Sequence, residues 1–445
     1  MPADAEGPRA PGRFDFPESP TLAPATDTER WLYGLTRFGM KPGLRNIEAL
    51  VTRFGHPERG LRFLHVAGTN GKGSVCHLLE RQLRAAGFRT GLFTSPHLVH
   101  VGERLRVDGA PLGDDGIATL GEQVAPAVTE LAATFFETLT LMALLHFAER
   151  EVDWVLWETG LGGRLDCTRV VDADASVLTG VSLDHTKYLG ATVQEIARDK
   201  LGIGRRGRPL YSALADAGLR AIAVEEAAAA GFELVELVDV LDWRLEGESL
   251  RIANGPLAGR YPLPGLPAVQ AANAALALHV LDDLGRRRGE RLLPNDPGAA
   301  LAATALPARF HRWREAPPLV IDGAHNPEAL AGTLAAWQAL LAVRDISPDA
   351  ARVVFGCMAD KEVAPMLELL AAQPCPVTLT AARQPRALPV AELAARAGAA
   401  AARWDGAPTL DAALAAHGDG PLLITGSFYL AGEAYAALRG EVGGV

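Results

Sequence analysis

Three groups of residues have the types and spacing to do chemistry. The first is Gly68-Thr69-Asn70-Gly71-Lys72-Gly73-Ser74, which follows the apolar run FLHVA and precedes the helical pattern VCHLLERQL. Glycines let backbone N–H groups approach phosphate oxygens, a helix N-terminus adds its dipole, and Lys72 supplies a point charge. The spacing departs from G-x-x-x-x-G-K-[ST], because Val66 takes the first glycine position and Gly73 separates Lys72 from Ser74. The strand, loop and helix context with three glycines and a lysine still reads as a phosphate-binding loop rather than a plain turn.

The second group is positional. Ser95 follows GLFT, Glu158 ends WVLWE, and Asp184 with His185 follows SVLTGVS. Parallel sheets bind ligands at the carboxyl ends of their strands. A carboxylate, a hydroxyl and an imidazole beside a phosphate loop suit Mg²⁺, which takes oxygen ligands and shares them with phosphates; they do not make a closed zinc site. Each alone could be a cap or a surface residue. The third group is a lysine on an apolar face. Thr192-Val193-Gln194-Glu195 is a capping box, and Lys200 falls on or beside the stripe of Val193, Ile196, Ala197 and Leu201. Desolvation disfavours its ammonium form, so it could snorkel to the surface, pair with an acid such as Glu158, or react as a neutral amine.

Two further polar residues interrupt apolar patterns. Asn273 lies between Val269 and Leu276 at helical spacing, where a buried amide needs partners, as a core asparagine or a ligand contact. Asp322 follows the run LVI and opens DGAHNP, at another strand end or simply in a turn before a helix. Seven other histidines (His56, His77, His100, His146, His279, His311 and His417) have no partner spacing and read as structural or surface residues.

The elements that must hold these groups alternate. Apolar runs ending at Gly68, Ser95, Thr159 and Val181 are separated by helical patterns, which predicts βαβ units with a mostly parallel sheet. A helix over about residues 268–284 precedes a turn at LLPNDPG, after which LVI, VVF and LLIT begin a second series of strands. Residues 1–24, with six prolines, read as a flexible arm. The boundary falls near residue 307, giving domains over 25–307 and 308–445. With 43 Lys+Arg against 53 Asp+Glu, the net charge of −10 argues against nucleic-acid or anionic-membrane binding. No apolar run reaches the ~18 residues of a membrane span, and the first 30 residues lack a signal-peptide core. The four cysteines form no CxxC pair, so they read as reduced thiols of a cytoplasmic protein.

Taken in order, GLRNIEAL, HVAGTNGKGSV, TSPHLV with ERLRVDG, TFFETLTLMAL, ETGLGGRLDCT, SLDHTKYLG, EIARDKLGI, NAALAL, PARF, DGAHNP, GCMADKE and GSFYLAGE resemble the bacterial bifunctional folylpolyglutamate synthase/dihydrofolate synthase family of the Mur ligase superfamily, over about residues 30–435. The resemblance implies an N-terminal P-loop ATPase domain, a smaller Rossmann-like C-terminal α/β domain, and an active site between them. It implies that Thr69, Asn70, Gly71, Lys72, Gly73 and Ser74 bind ATP together with Asn273, Arg309 and Asp322. It places Ser95, Glu158 and His185 on Mg²⁺, with two ions, and makes Lys200 the lysine that is carbamylated, its carbamate a further oxygen ligand. Thr134, Phe135, Phe136 and Glu137, with Leu165, Asp166 and Cys167, match the segments lining the dihydropteroate site.

The implied reaction is ATP-dependent amide formation, with L-glutamate joined to dihydropteroate or to the tail of a reduced folate by a monomeric enzyme. Departures from the family pattern include Thr159 for valine, Cys167 for alanine, Arg169 for asparagine, Asp199 and Leu201 beside the lysine, and Ala308 for the glycine of P-G-R-F. The changes at Cys167 and Arg169 touch the pterin-side loop and bear on substrate preference. The retained Arg164-Leu165-Asp166 favours both activities over folylpolyglutamate synthase alone. Other readings are a Mur-type ligase acting on a UDP-linked precursor, and a folate- or nucleotide-binding protein without ligase activity.

Overall fold

The computed structural model describes residues 26–35, 43–263 and 268–441. The arm expected over 1–24 lies outside the described residues. The large sheet contains β1 (Arg62–Ala67), β2 (Thr90–Phe93), β3 (Leu105–Val107), β4 (Ala110–Pro111), β5 (Trp154–Glu158), β6 (Ala175–Leu178), β7 (Pro209–Ser212) and β8 (Glu233–Glu236). Its order is β4-β3-β2-β5-β1-β6-β7-β8. From β2 to β8 every neighbouring pair is parallel, while β3 and β4 turn back antiparallel at one edge.

Of the expected strands, β2, β5 and β6 read as apolar runs because they are buried along their whole length, as strands covered by helices on both faces must be. Trp154 and Trp157 on β5 point to opposite faces and are both fully buried, among the side chains of two separate cores. The helix Lys72–Ala85 covers one face with the helix Ala268–Arg288, and the helix Phe135–Glu149 fills the other.

The apolar runs did not announce β3, β4, β7 and β8, and two further features were not anticipated. A three-stranded antiparallel sheet, β9 (Trp243–Leu245), β10 (Ser249–Ile252) and β11 (Gly259–Pro262), joins the large sheet to the helix Ala268–Arg288. That helix also faces differently from the expectation: Val269 is 51% exposed, so the buried face begins at Gln270 and Ala271 and runs through Asn273 and Ala274. Asn273 is buried as expected, but on a stripe of alanines rather than one led by Val269.

The C-terminal α/β domain is built on β12 (His311–Glu315), β13 (Pro318–Ile321), β14 (Arg352–Phe355), β15 (Val377–Leu379), β16 (Asp405–Gly406) and β17 (Leu422–Thr425), in the order β12-β13-β17-β14-β15-β16. All pairs are parallel except β12 with β13. Trp337 on the helix Pro327–Val343 is fully buried against this sheet. All four cysteines are buried and unpaired. Among the described residues no helix is long and apolar enough to cross a membrane.

Candidate active site

The phosphate loop leaves the end of β1 at the middle of the large sheet, between β5 and β6. Gly71 is the N-cap of the helix Lys72–Ala85, with φ of 86°, the left-handed region that glycine enters freely. A Cβ there would also lie 2.9 Å from Asn273 Oδ1. The loop is tied to β6 and its following turn: Thr69 N–H donates to the Gly180 carbonyl at 2.7 Å, Thr179 Oγ1 donates to the Asn70 carbonyl at 2.6 Å, and Thr69 Oγ1 donates to the Ser182 carbonyl at 3.1 Å. Lys72 is folded back on its own loop, Nζ donating to the carbonyls of Gly68 (3.1 Å) and Thr69 (3.2 Å). Ser74 is fully buried, and its Oγ accepts from Gln270 Nε2 (3.2 Å) while Gln270 Oε1 accepts from Asn273 Nδ2 (3.0 Å).

Glu158, at the end of β5, is 2% exposed. Its Oε2 accepts the Ser95 N–H at 3.0 Å, so the carboxylate from β5 and the hydroxyl-bearing residue after β2 are brought together. Burial pushes its carboxyl up, and Lys72, the Ser95 N–H and Arg309 pull it back. Gly73 lies against both sides: a Cβ there would be 3.1 Å from Arg309 Nη2 and 3.5 Å from Glu158 Oε2. A cavity of about 40 Å³ opens here, lined by Gly73, Ser95, Glu158, Arg309 and Phe428 among others. Arg309 reaches it from the start of the C-terminal domain, its guanidinium 4.3 Å from the centre of the Phe428 ring.

Lys200 is 3% exposed and donates to the Gly68 carbonyl at 2.9 Å. Of the three alternatives for this lysine, surface snorkelling does not occur, and its hydrogen bond goes to the loop rather than to Glu158. Burial, then the charge of Lys72, lowers it to about 7. The capping box that places it is present, with Glu195 N–H donating to Thr192 Oγ1 at 3.2 Å and Thr192 N–H donating to Glu195 Oε2 at 3.1 Å.

Other expected residues are placed differently. His185 has φ of 51° and lies with Asp184, Nε2 to Oδ2 at 3.7 Å, rather than in the cavity beside Glu158 and Ser95. Burial, then Lys361, lowers its imidazole to about 4, so it is neutral at pH 7. Among the described residues no three His, Cys, Asp or Glu side chains gather as a metal cluster. Asp322 is engaged inside the C-terminal domain, accepting from Phe310 N–H (2.6 Å), Ala324 N–H (2.8 Å) and Thr333 Oγ1 (2.9 Å). Asn70 reaches the C-terminal domain, its Nδ2 donating to Glu328 Oε2 at 2.7 Å and its Oδ1 accepting from Asn326 Nδ2 at 3.0 Å.

Comparison with known proteins bears on what this arrangement does. The Mur ligase middle domain matches residues 66–213, and the Mur ligase glutamate ligase domain matches residues 308–428. Dihydrofolate synthase/folylpolyglutamate synthase of Bacillus subtilis is 33% identical over 77% of this chain and 82% of that protein. The Escherichia coli protein of the same name is 35% identical over 78% of this chain and 80% of its own. The chain belongs to the dihydrofolate synthase/folylpolyglutamate synthase family of Mur ligases. Among solved structures of this family, Escherichia coli FolC in complex with ADP superposes with a TM-score of 0.82 at 30% identity, covering 94% of this chain and 99% of that one. A Yersinia pestis bifunctional folylpolyglutamate synthase/dihydrofolate synthase bound to AMPPNP and a Mn ion gives 0.80 at 28% identity, covering 95% and 99%.

Of the segments expected at the dihydropteroate site, most of the side chains are engaged in local capping and packing. Thr134 and Glu137 cap the helix Phe135–Glu149 reciprocally. Phe135 stacks on Tyr33 at 5.5 Å, and Asp166 accepts from the N–H groups of Leu161 (2.8 Å) and Thr168 (3.0 Å). Cys167 Sγ is buried 3.2 Å from Thr140 Oγ1. Phe136, packed over Gly160, is partly exposed, and Leu165 is 52% exposed. Gln270, Thr179, Asn326 and Lys361 are the residues that the motifs contained or bordered without their partners being readable.

Proposed function

We propose that this chain uses ATP to join L-glutamate to dihydropteroate and to the glutamyl tail of reduced folates. The observation that carries the reading is the convergence of Gly73, Glu158 and Arg309 on one small cavity, which puts the phosphate loop of the N-terminal domain against a cation from the C-terminal one. A division into domains over residues 25–307 and 308–445, behind an arm over 1–24, fits this arrangement, since the glutamate ligase match begins at 308.

The donor chemistry fits Mg²⁺. A buried carboxylate and a serine hydroxyl border a cavity able to take an ion or water, and hard oxygen donors that leave positions for phosphate oxygens are what Mg²⁺ selects. Ser95 and Glu158 would hold one ion; His185, neutral, and a carbamate on Lys200 would serve a second. When bound, the ions neutralise charge on the phosphates.

The chain's own residues bind and orient. Thr69 to Ser74 present backbone N–H groups to the phosphates, with Lys72 swinging from its loop carbonyls to the transferring phosphoryl group. Asn273, held by Gln270, borders Gly71, and Arg309 offers its charge from the opposite wall; Asp322 acts by fixing the Phe310 and Ala324 amides around Arg309. A substrate carboxylate oxygen attacks the γ-phosphorus and ADP leaves. The glutamate amine then attacks the acyl carbon, phosphate leaves, and the amine gives up a proton.

Phe136 and Leu165 offer the apolar surface for the pterin, over a scaffold of Thr134, Phe135, Glu137, Asp166 and Cys167. The retained Arg164-Leu165-Asp166 supports both activities, while of the two departures on the pterin-side loop Cys167 is buried and Arg169, half-buried, donates from Nε to the Gly202 carbonyl at 2.7 Å. Its partners are these small molecules, and it works as a cytoplasmic monomer. ADP release with ATP, Mg²⁺ and glutamate should depend on either dihydropteroate or tetrahydrofolate, each giving a product heavier by one glutamyl residue. Folded, ATP-binding protein that turns over with neither overturns the proposal.

A further inference from the structure

The two domains are held together by polar contacts that the reaction described above does not use. Lys361 lies in the turn after β14, its N–H donating to the Met358 carbonyl at 3.3 Å. Its Nζ crosses to the N-terminal domain and donates to Asp184 Oδ1 at 2.9 Å, each side chain being 12% exposed. Asp184 Oδ2 lies 3.6 Å from His325 Nε2, another C-terminal group. On its own side Asp184 accepts the His185 N–H at 2.9 Å. One carboxylate after β6 is therefore gripped by two side chains of the other domain. The pair is mostly buried, unlike a fully exposed ion pair, which contributes little. A second bridge, Asn70 with Asn326 and Glu328, fastens the phosphate loop itself to the first turn of the helix Pro327–Val343.

These contacts sit where closure matters chemically. An acyl phosphate can be attacked by the glutamate amine, giving amide and phosphate, or by water, returning the carboxylate and phosphate with ATP spent for nothing. Only a shut interface favours the first outcome. Removing one member of a largely buried ion pair leaves the other uncompensated, which weakens the shut state specifically. We propose that Lys361 is a positioning residue whose ion pair with Asp184 latches the C-terminal domain over the phosphate loop, so that the acyl phosphate meets the amine rather than water. The chemical part rests on the ligase reading; the latch itself does not.

The test compares full-length wild type, Lys361→Met and Lys361→Arg in two measurements. The first is the ratio of ADP released to amide product formed with saturating glutamate. The second is the radius of gyration by X-ray scattering with a non-hydrolysable ATP analogue and Mg²⁺. In Lys361→Met the ADP-to-product ratio should rise about tenfold, a size usual for coupling between sites. KM for ATP should stay unchanged, and the particle should be larger than wild type. Lys361→Arg, which keeps the charge, should restore both. A Met variant that keeps equal amounts of ADP and product together with the wild-type radius overturns the latch, as does one that loses turnover while staying compact and coupled. If wild type shows no glutamate-dependent ADP release, the ligase reading fails, and the scattering comparison still decides the latch.

Discussion

Lys72 and Lys200 donate to the same acceptor, the carbonyl oxygen of Gly68, at 3.1 and 2.9 Å. Two ammonium groups on one oxygen repel each other, and the more buried one yields: Lys200 is lowered to about 7, first by burial and then by Lys72. Near neutral pH about half of it is a free amine, the form that adds CO₂ or cyanate. Cyanate should therefore modify Lys200 with a midpoint near 7, read by peptide mass spectrometry. Lys72→Ala should move that midpoint upward and abolish ATP-dependent turnover while leaving the fold intact. An unmoved midpoint would mean that Lys72 does not act on Lys200.

Glu158 is the carboxylate that borders the small cavity with Ser95. Glu158→Gln keeps the shape and removes the charge. ADP release should fall by about 10²-fold or more, the scale on which a misplaced reacting group is felt, and should no longer saturate at ordinary Mg²⁺ concentrations. Chelation by EDTA should abolish wild-type turnover, and added Mg²⁺ should restore it. Undiminished activity in Glu158→Gln would remove this residue from the metal site.

Ala308 has φ of 51°, in the left-handed region where an L side chain is strained. Its N–H donates to Tyr435 Oη at 3.1 Å and its carbonyl accepts from Gly323 N–H at 2.9 Å, so the backbone is fixed there. This gives the glycine common at that position in the family a physical reason. Ala308→Gly should stabilise the protein by about 0.5–1 kcal/mol, measured by chemical denaturation. A destabilised glycine variant would show that the methyl group's packing outweighs its strain.

Two buried imidazoles make the fold acid-sensitive. His97 Nδ1 accepts from Arg104 Nε at 2.9 Å, and His65 Nε2 lies 2.9 Å from Thr168 Oγ1. Burial, then neighbouring arginines, holds both well below their ordinary 6.5. Below pH 6.5 the unfolded chain takes up protons that the folded one refuses. Stability present above that pH is therefore lost as pH falls, by up to about 1.4 kcal/mol per pH unit for each group. His97→Asn should flatten the fall in denaturation midpoint between pH 7 and 5. An identical slope would exclude His97 as a source.

The strands that carry Glu158 and the phosphate loop are legible because burial on both faces makes them mostly apolar, with His65 as a buried polar residue inside β1, and the polar residue that ends β5 is the one at the ligand edge. Lys200 is legible because an amphipathic helix cannot hide a lysine from its own periodicity. The sheet β9–β11 is not, since its strands are only three or four residues long, too short for an alternation such as Ser249-Leu250-Arg251-Ile252 to stand out from its surroundings. Neither is the Ser74–Gln270–Asn273 chain or the Lys361–Asp184 pair, whose members lie far apart in sequence and meet only through the fold. At Asp322 the strand-end rule finds the position but not the partners, because the carboxylate is taken by amides of its own domain.

The position of β1 has a consequence for how the chain is made. β1 carries the phosphate loop, but its two neighbours are β5 and β6, which begin at Trp154 and Ala175. On a ribosome the loop's sequence emerges long before either flank can pair with it. Contacts of such sequence separation are the slow ones to close. A nascent chain halted before Trp154 therefore exposes the apolar edges of β1 to chaperones and to other chains, and nucleotide can begin to protect it only once β6 and the turn after it have cleared the exit tunnel.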